Sequence, residues 1–440
     1  MEKFCLFGVL ILTLISSACH APKKLTSETH PPQNETSTIL PEIVPDAART
    51  DSFLNNMLVQ HREFDSVLVN RKAWNVQIIY TRIDRNASNE PRFTDYYWNV
   101  DPKRYFYPAS TVKMPVALLA LQKLREIKVA GLDRRTTMIT ETDYSGQTPT
   151  YNDPSTPDGK PTIEQYVKKI FLVSDNEAFN RLYEFVGPAT INEKLNRMGY
   201  DDVQIRHRLE VTLTEDENRH TNPIRFIESN GKIIYQQRSE LDETSYPTRN
   251  EKLGNGFYNA GKLTNEPMDF SLKNRISLED LHNILKSIYF PNAMPHKQRF
   301  NLSAEDLQLV YKSMSQYPTE SKFPAYDTSI YPAFCKFFML GADRNAKPPG
   351  NLRVFDKVGG AYGSLLDIAY IVDFENKVEF LLSAVIYCNS DGILNDDHYD
   401  YESTGYPFML NLSKTIYNYE LQRPREFKPD LSSLQFDYSR

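Results

Sequence analysis

From about Ser52 to Val69 the apolar positions Phe53, Leu54, Met57, Leu58, Phe64 and Val67 recur near helical spacing, which predicts one amphipathic helix. Between Trp74 and Ile83 the pattern changes to alternation, with Val76, Ile78 and Tyr80 separated by polar residues. A second strand-like run, Phe93 to Val100, follows a turn-rich stretch through Asn86, Asn89 and Pro91, and the two runs predict a hairpin. A largely helical region comes next. It contains Val116, Leu118, Leu119, Leu121 and Leu124 and then, beyond the polar loop Asp143 to Pro161, the segments Ile163 to Phe171, Glu177 to Val186 and Ala189 to Met198. Gly187 and Gly199 stand where helix ends favour glycine. Near the other end, Leu365 to Phe374 and Val378 to Cys388 read as strands joined across Glu375-Asn376-Lys377, and a last helix is expected from Pro407 to Leu421. With strands near both ends and helices between, the expected fold class is α+β. One antiparallel sheet is built from both chain ends with flanking helices, an all-helical domain is inserted, and a cleft lies between the parts.

The first residues bear on location. Lys3, the apolar run Phe4 to Ile15, and the small residues Ser16, Ser17 and Ala18 ending at Cys19 have the layout of a secretory signal. A cysteine directly after small residues resembles a bacterial lipoprotein signal, which implies that Cys19 becomes the lipidated first residue and ties an exported protein to a membrane in the cell envelope. Residues 20–50 are rich in Pro, Ser, Thr, Asn and Glu and cannot offset chain entropy by burial, so they read as a flexible tether. The folded domain is expected over residues 51–430, with an ordered surface insertion at about 226–274 and a tail at 431–440. No later apolar run reaches the roughly 18 residues a membrane helix needs.

A net charge of −6 without a basic block argues against a nucleic-acid partner. The eight histidines are scattered and form no ligand spacing, so neither a metal nor another cofactor is expected. Cys5 leaves with the signal. Cys335 and Cys388 then remain, either paired or as two separate buried thiols, and sequence alone leaves both open.

The candidate chemistry lies in three short stretches. Ser110-Thr111-Val112-Lys113 opens a helical run directly after the first hairpin. At a helix start the free N–H groups and the positive dipole end favour a developing alkoxide, and Lys113 one turn on faces the same side. A serine hydroxyl is a poor nucleophile until a neighbour takes its proton, which a desolvated lysine of lowered pKa can do. The plainer reading makes Ser110 a helix cap and Lys113 a solvated residue, and Pro115 threatens a kink just beyond. A second Ser-x-x-Lys, Ser229-Asn230-Gly231-Lys232, has Asn-Gly at its centre between strand-like residues and is a hairpin turn. Ser174-Asp175-Asn176 sits between two helical segments and is also a good turn or cap sequence. Lys357-Val358-Gly359 follows the strand-like Leu352 to Phe355, whereas Lys252-Leu253-Gly254 lies in a polar insertion and Ser390-Asp391-Gly392 lacks the amide.

In this order and setting the three stretches resemble the Ser-x-x-Lys, Ser-Asp-Asn and Lys-Thr-Gly set of class A β-lactamases and penicillin-binding proteins. Arg208-Leu209-Glu210-Val211-Thr212-Leu213-Thr214 resembles in part the Arg-Trp-Glu-Pro-Glu-Leu-Asn segment of the class A enzymes. The resemblance implies Ser110 as nucleophile, with Lys113, or Glu210 through water, as the acylation base. It implies that Ser174 relays a proton to the leaving group and that Glu210 activates the deacylating water. Asn176, Lys357, Gly359 and Gly360 would bind substrate, the N–H groups of Ser110 and Gly360 forming the oxyanion hole. Val358 stands where the family has a hydroxyl that grips a substrate carboxylate, and Thr214 where it has an asparagine beside the water.

The expected activity is therefore that of a monomeric serine hydrolase acting on an amide of a small molecule or peptide, with β-lactams the leading substrate. The alternatives are a cell-wall D,D-peptidase or transpeptidase, which does not need Glu210, and a non-catalytic peptidoglycan-binding relative.

Overall fold

The structure, a computed structural model, describes residues 48–438. The signal-like segment with Cys19, and nearly all of the tether, lie outside the described residues. The first amphipathic stretch forms two helices, α1 (Ser52–Val59) and α2 (Asp65–Val69), with a 3-10 turn at Arg62–Phe64 between them. The single helix expected there is broken because His61 is extended, at φ −120° and ψ 110°. That break lets Leu58 and Phe64 reach one apolar cluster.

The expected hairpin is β1 (Gln77–Arg85) and β2 (Pro91–Trp98). A 3-10 turn at Ala109–Val112 leads into α3 (Lys113–Ile127), followed by β3 (Thr137–Thr140), α4 (Ile163–Val173), α5 (Asn176–Val186), α6 (Pro188–Arg197) and α7 (Glu215–Arg219). Pro115 is the third residue of α3, where an N–H has no intrahelical acceptor, so the helix runs on to Ile127. Then come β4 (Ile224–Ile227) and β5 (Ile233–Gln237), whose connecting turn holds the second Ser-x-x-Lys with Gly231 at φ 85°. The insertion adds β6 (Lys252–Leu253), β7 (Gly256–Asn259), β8 (Lys262–Thr264) and β9 (Met268–Asp269). Helices α8 (Leu278–Tyr289) and α9 (Ala304–Ser315) precede β10 (Leu352–Ala361), β11 (Ser364–Asp373), β12 (Val378–Tyr387), β13 (Ile393–Leu394) and α10 (Tyr406–Gln422).

The main sheet has five strands in the order β10-β11-β12-β1-β2, antiparallel throughout, so both ends of the domain supply it as the pattern predicts. Every residue of β11 is buried, because helices cover both faces. One face meets α8 and α9, and its residues Ile79, Leu366, Ile368 and Tyr370 belong to the apolar cluster that also takes in α3, α4 and α5. The other meets α1 and α10 through Tyr80, Ala369 and Ile371. Helix α3 is apolar on nearly all sides and forms the centre of the first cluster. The middle region is largely helical but also contains a three-stranded sheet, β3-β4-β5. Leu431 and Leu434, in the stretch read as a tail, are buried in the first cluster, and the Tyr438 hydroxyl lies 2.7 Å from Ser315 Oγ. Cys335 and Cys388 are separate, buried and free.

Candidate active site

Ser110 lies in the 3-10 turn between β2 and α3, after Ala109 at φ 47°. A left-handed alanine is uncommon, and the turn it makes sets Lys113 on the same side as Ser110, one turn later. Lys113 is fully buried, and its Nζ lies 2.8 Å from Ser110 Oγ. The same Nζ donates to Ser174 O and to Asn176 Oδ1, each at 2.5 Å, with Ser174 Oγ at 3.3 Å. The first two stretches singled out in the sequence thus meet at one nitrogen.

Local structure explains how. Ser174 closes α4 in the left-handed region, at φ 60°, and the Asp175 carboxylate accepts from Ala178 N–H at 2.7 Å as the N-cap of α5. The cap function of Ser-Asp-Asn and its place beside Lys113 are both realised: the tight junction of α4 and α5 is what turns Ser174 and Asn176 toward α3.

The third stretch lies on β10, the edge strand of the sheet. Lys357 is buried; its Nζ donates to Ser174 Oγ at 2.9 Å and to Val358 O at 2.7 Å. A continuous series of polar contacts therefore runs Lys357, Ser174, Lys113, Ser110. Gly359 passes so close to the Ser110 turn that a Cβ there would lie 3.0 Å from Pro108 O and 3.1 Å from Ser110 N. That approach sets Ser110 and Gly360 beside one cleft. Val358 faces the other way, buried in the second cluster.

Glu210 also reaches the cleft. It sits at φ 58°, and its Oε2 accepts from Asn176 Nδ2. Two buried anchors place it. The Asn180 amide brackets Leu209, accepting its N–H at 2.9 Å and donating to its carbonyl at 3.0 Å. Arg208 pairs with the buried Glu184 at 2.7 Å, which in turn pairs with Arg181 at 2.9 Å. Thr214 stands elsewhere: its hydroxyl and N–H cap α7 in a reciprocal box with Glu217. Asn176, not Thr214, is the residue that holds the Glu210 carboxylate.

The two lysines are strongly perturbed. Burial pushes Lys113 well below its ordinary 10.5, and the neighbouring Lys357 pushes in the same direction. Burial also pulls Lys357 down to about 8, against the raising influence of Cys335, Asp356 and Asp367. As a neutral amine, Lys113 has two N–H groups for the Ser174 carbonyl and the Asn176 amide oxygen and one lone pair directed at the Ser110 hydroxyl proton, so its three nearest contacts are all satisfied.

The cleft above Ser110 has a volume of about 340 Å³. Besides Ser110, Asn176, Glu210 and Gly360 it is lined by residues that sequence reasoning missed, among them Tyr107, Tyr362, Asn395, Asp397 and Tyr399. The insertion backs this wall from behind: β7 pairs in parallel with β13, and Phe270, Leu253 and Phe257 pack with Tyr107, Tyr362 and Tyr399. A larger cavity, about 730 Å³ beside α6, is lined by none of the singled-out residues.

The model described as the beta-lactamase enzyme family matches residues 75–419. No curated protein sequence matches the chain. Among solved structures, the chain is similar to the beta-lactamase from Sphaerobacter thermophilus, at 13% identity over 84% of this chain and 98% of that one, with a TM-score of 0.43. A halotolerant bacterial beta-lactamase is 14% identical over 82% and 99%, with a TM-score of 0.46. PBP-A is 14% identical over 84% and 97%, with a TM-score of 0.45.

Proposed function

The chain belongs to the beta-lactamase enzyme family and is a serine hydrolase, and from that premise we propose that Ser110 attacks an amide carbonyl to form an acyl-enzyme that Glu210 then helps water to release. The observation that carries this reading is the contact of Lys113 Nζ with Ser110 Oγ at 2.8 Å, in a site where burial favours the neutral amine. As Ser110 Oγ bonds to the carbonyl carbon, its proton passes to Lys113. The amide C–N bond then breaks, and Ser174, between Lys113 and Lys357, hands its proton to the departing nitrogen and takes the one that Lys113 received from Ser110. The N–H groups of Ser110 and Gly360, two residues that line the cleft, hold the oxyanion. In the second half, Glu210 takes a proton from water as the hydroxide attacks the ester, and that proton passes to Ser110 Oγ as the ester C–O bond breaks. Glu210 inside the cleft favours hydrolysis over transfer to a second peptide, and β-lactams are the leading substrate class.

Intact-protein mass spectrometry after exposure to a penicillin and to an uncharged activated ester tests this. An adduct is expected on Ser110, absent in Ser110→Ala, and short-lived in the wild type. No adduct at Ser110 with either reagent would remove the nucleophile, and an adduct stable for hours would favour the cell-wall peptidase reading.

The charge on Lys357 sets an expected alkaline limit. Its ammonium is lost as pH rises through about 8, and with it the positive charge that supports proton delivery by Ser174. kcat/KM is therefore expected to fall above about pH 8, and in Lys357→Arg the fall should move upward by more than two pH units, because a guanidinium keeps its proton. A pH profile with the same alkaline limb in both proteins would assign that limb to another group.

A further inference from the structure

The wall of the Ser110 cleft that faces Asp397 is acidic. The lining of the cleft includes the acidic residues Glu210 and Asp397, and among the described residues that line it none is Arg, Lys or His. Lys113 and Lys357 are buried, their Nζ atoms engaged by Ser110, Ser174, Asn176 and the Val358 carbonyl. Val358 offers no hydroxyl, and its side chain is buried beneath the sheet. A carboxylate on the part of a substrate that lies against residues 395–399 meets the like charge of Asp397, and no cationic side chain lines that wall, an arrangement that discriminates by repulsion.

Asp397 is placed by a braced loop. β13 is paired to the insertion through β7, Asn395 Nδ2 donates to Tyr258 O at 3.1 Å, and Asn395 N–H donates to the Tyr399 hydroxyl at 3.0 Å. The same cleft is walled by Tyr107, Tyr362 and Tyr399, the first two edge to face with centroids 5.1 Å apart. A carboxylate beside aromatic faces suits an ammonium group, which gains from both.

We propose that Asp397 is a specificity-determining residue, selecting amide substrates that carry an ammonium group, and no carboxylate, on the part lying against residues 395–399. This rests on the reading of Ser110 as the nucleophile. The insertion then has a function in recognition: by pairing with β13 it holds Asp397 over the cleft.

The test uses three linear amides of one skeleton ending in an ammonium, a methyl or a carboxylate group, titrated calorimetrically against the protein and its Asp397→Asn and Asp397→Lys variants. The ammonium amide is expected to bind about tenfold more tightly than the methyl one, and the carboxylate amide more weakly than either. Asp397→Asn should abolish the ammonium advantage and Asp397→Lys should favour the carboxylate, with the methyl amide unchanged throughout. Equal binding of all three amides, or an ammonium preference that persists in Asp397→Asn, overturns the proposal. The matching thioesters, followed by mass for an adduct on Ser110, report on the nucleophile separately. A charge preference without any adduct refutes acyl transfer and leaves the selectivity of Asp397 standing.

Discussion

Lys113→Met is expected to slow acylation of Ser110 by about a thousandfold, the range spanned when a positioned general base is removed, while the protein stays folded. Methionine has nearly the shape of lysine without its nitrogen, so α3 keeps its packing. Two energetic terms oppose each other. Removing a nitrogen buried with no exposed surface relieves a desolvation cost, and leaving Ser174 O and Asn176 Oδ1 without their donor incurs one of about 1–3 kcal/mol. The net change in Tm should therefore be a few degrees in either direction, far too small to account for the loss of rate.

A second measurement ties that loss to proton affinity. In the folded protein Lys113 gives up its proton well below 10.5, whereas the unfolded chain keeps it to that value. Between those limits the unfolded state binds more protons, so the Lys113 contribution makes stability rise with pH. In Lys113→Met that rise should disappear. Unchanged acylation in the variant would transfer the role of acylation base to Glu210 acting through water.

What the sequence revealed of this site follows from the distance over which each signal acts. Ser110 and Lys113 are one helical turn apart, and Ser174 and Asn176 flank a helix junction, so their spacing and capping chemistry mark them locally. The β1–β2 hairpin and the β11–β12 hairpin were legible because alternation or a continuous apolar run lasts for eight or more residues. Strands β6 to β9 of the insertion last two to four residues, too short for any period to register. Asp397 owes its position to such a strand, joined to residues more than a hundred positions earlier in the chain, and no local pattern announces that pairing.

Thr214, which stands where the family has an asparagine beside the water, has another task here: Thr214-Glu215-Asp216-Glu217 is a capping-box signature, and the start of α7 uses the hydroxyl. The break at His61 had no comparable signal; the apolar spacing continues across it while the backbone does not.

Glu210→Gln is expected to leave acylation intact and to slow release of the acyl group by about a thousandfold, so that a stoichiometric adduct accumulates on Ser110. Glutamine keeps an oxygen to accept from Asn176 Nδ2, and therefore keeps the side-chain position seen for Glu210. It cannot take a proton from water, and the ester at Ser110 then outlives the amide that formed it. The backbone allows this loss to be separated from structural damage. Glu210 is held at φ 58°, a conformation that costs a residue with a Cβ about 1–2 kcal/mol and costs glycine nothing. Glu210→Gly should thus be at least as stable as the wild type by calorimetry and just as defective in release, since the strain persists in order to aim a carboxylate into the cleft. If both variants turn over a reporter at the wild-type rate, the carboxylate is an exposed surface group and deacylation must depend on Lys113. If both trap the adduct while Lys113→Met fails to form it, the two halves of the reaction have separate bases, one buried beneath Ser110 and one held over the cleft by Asn176.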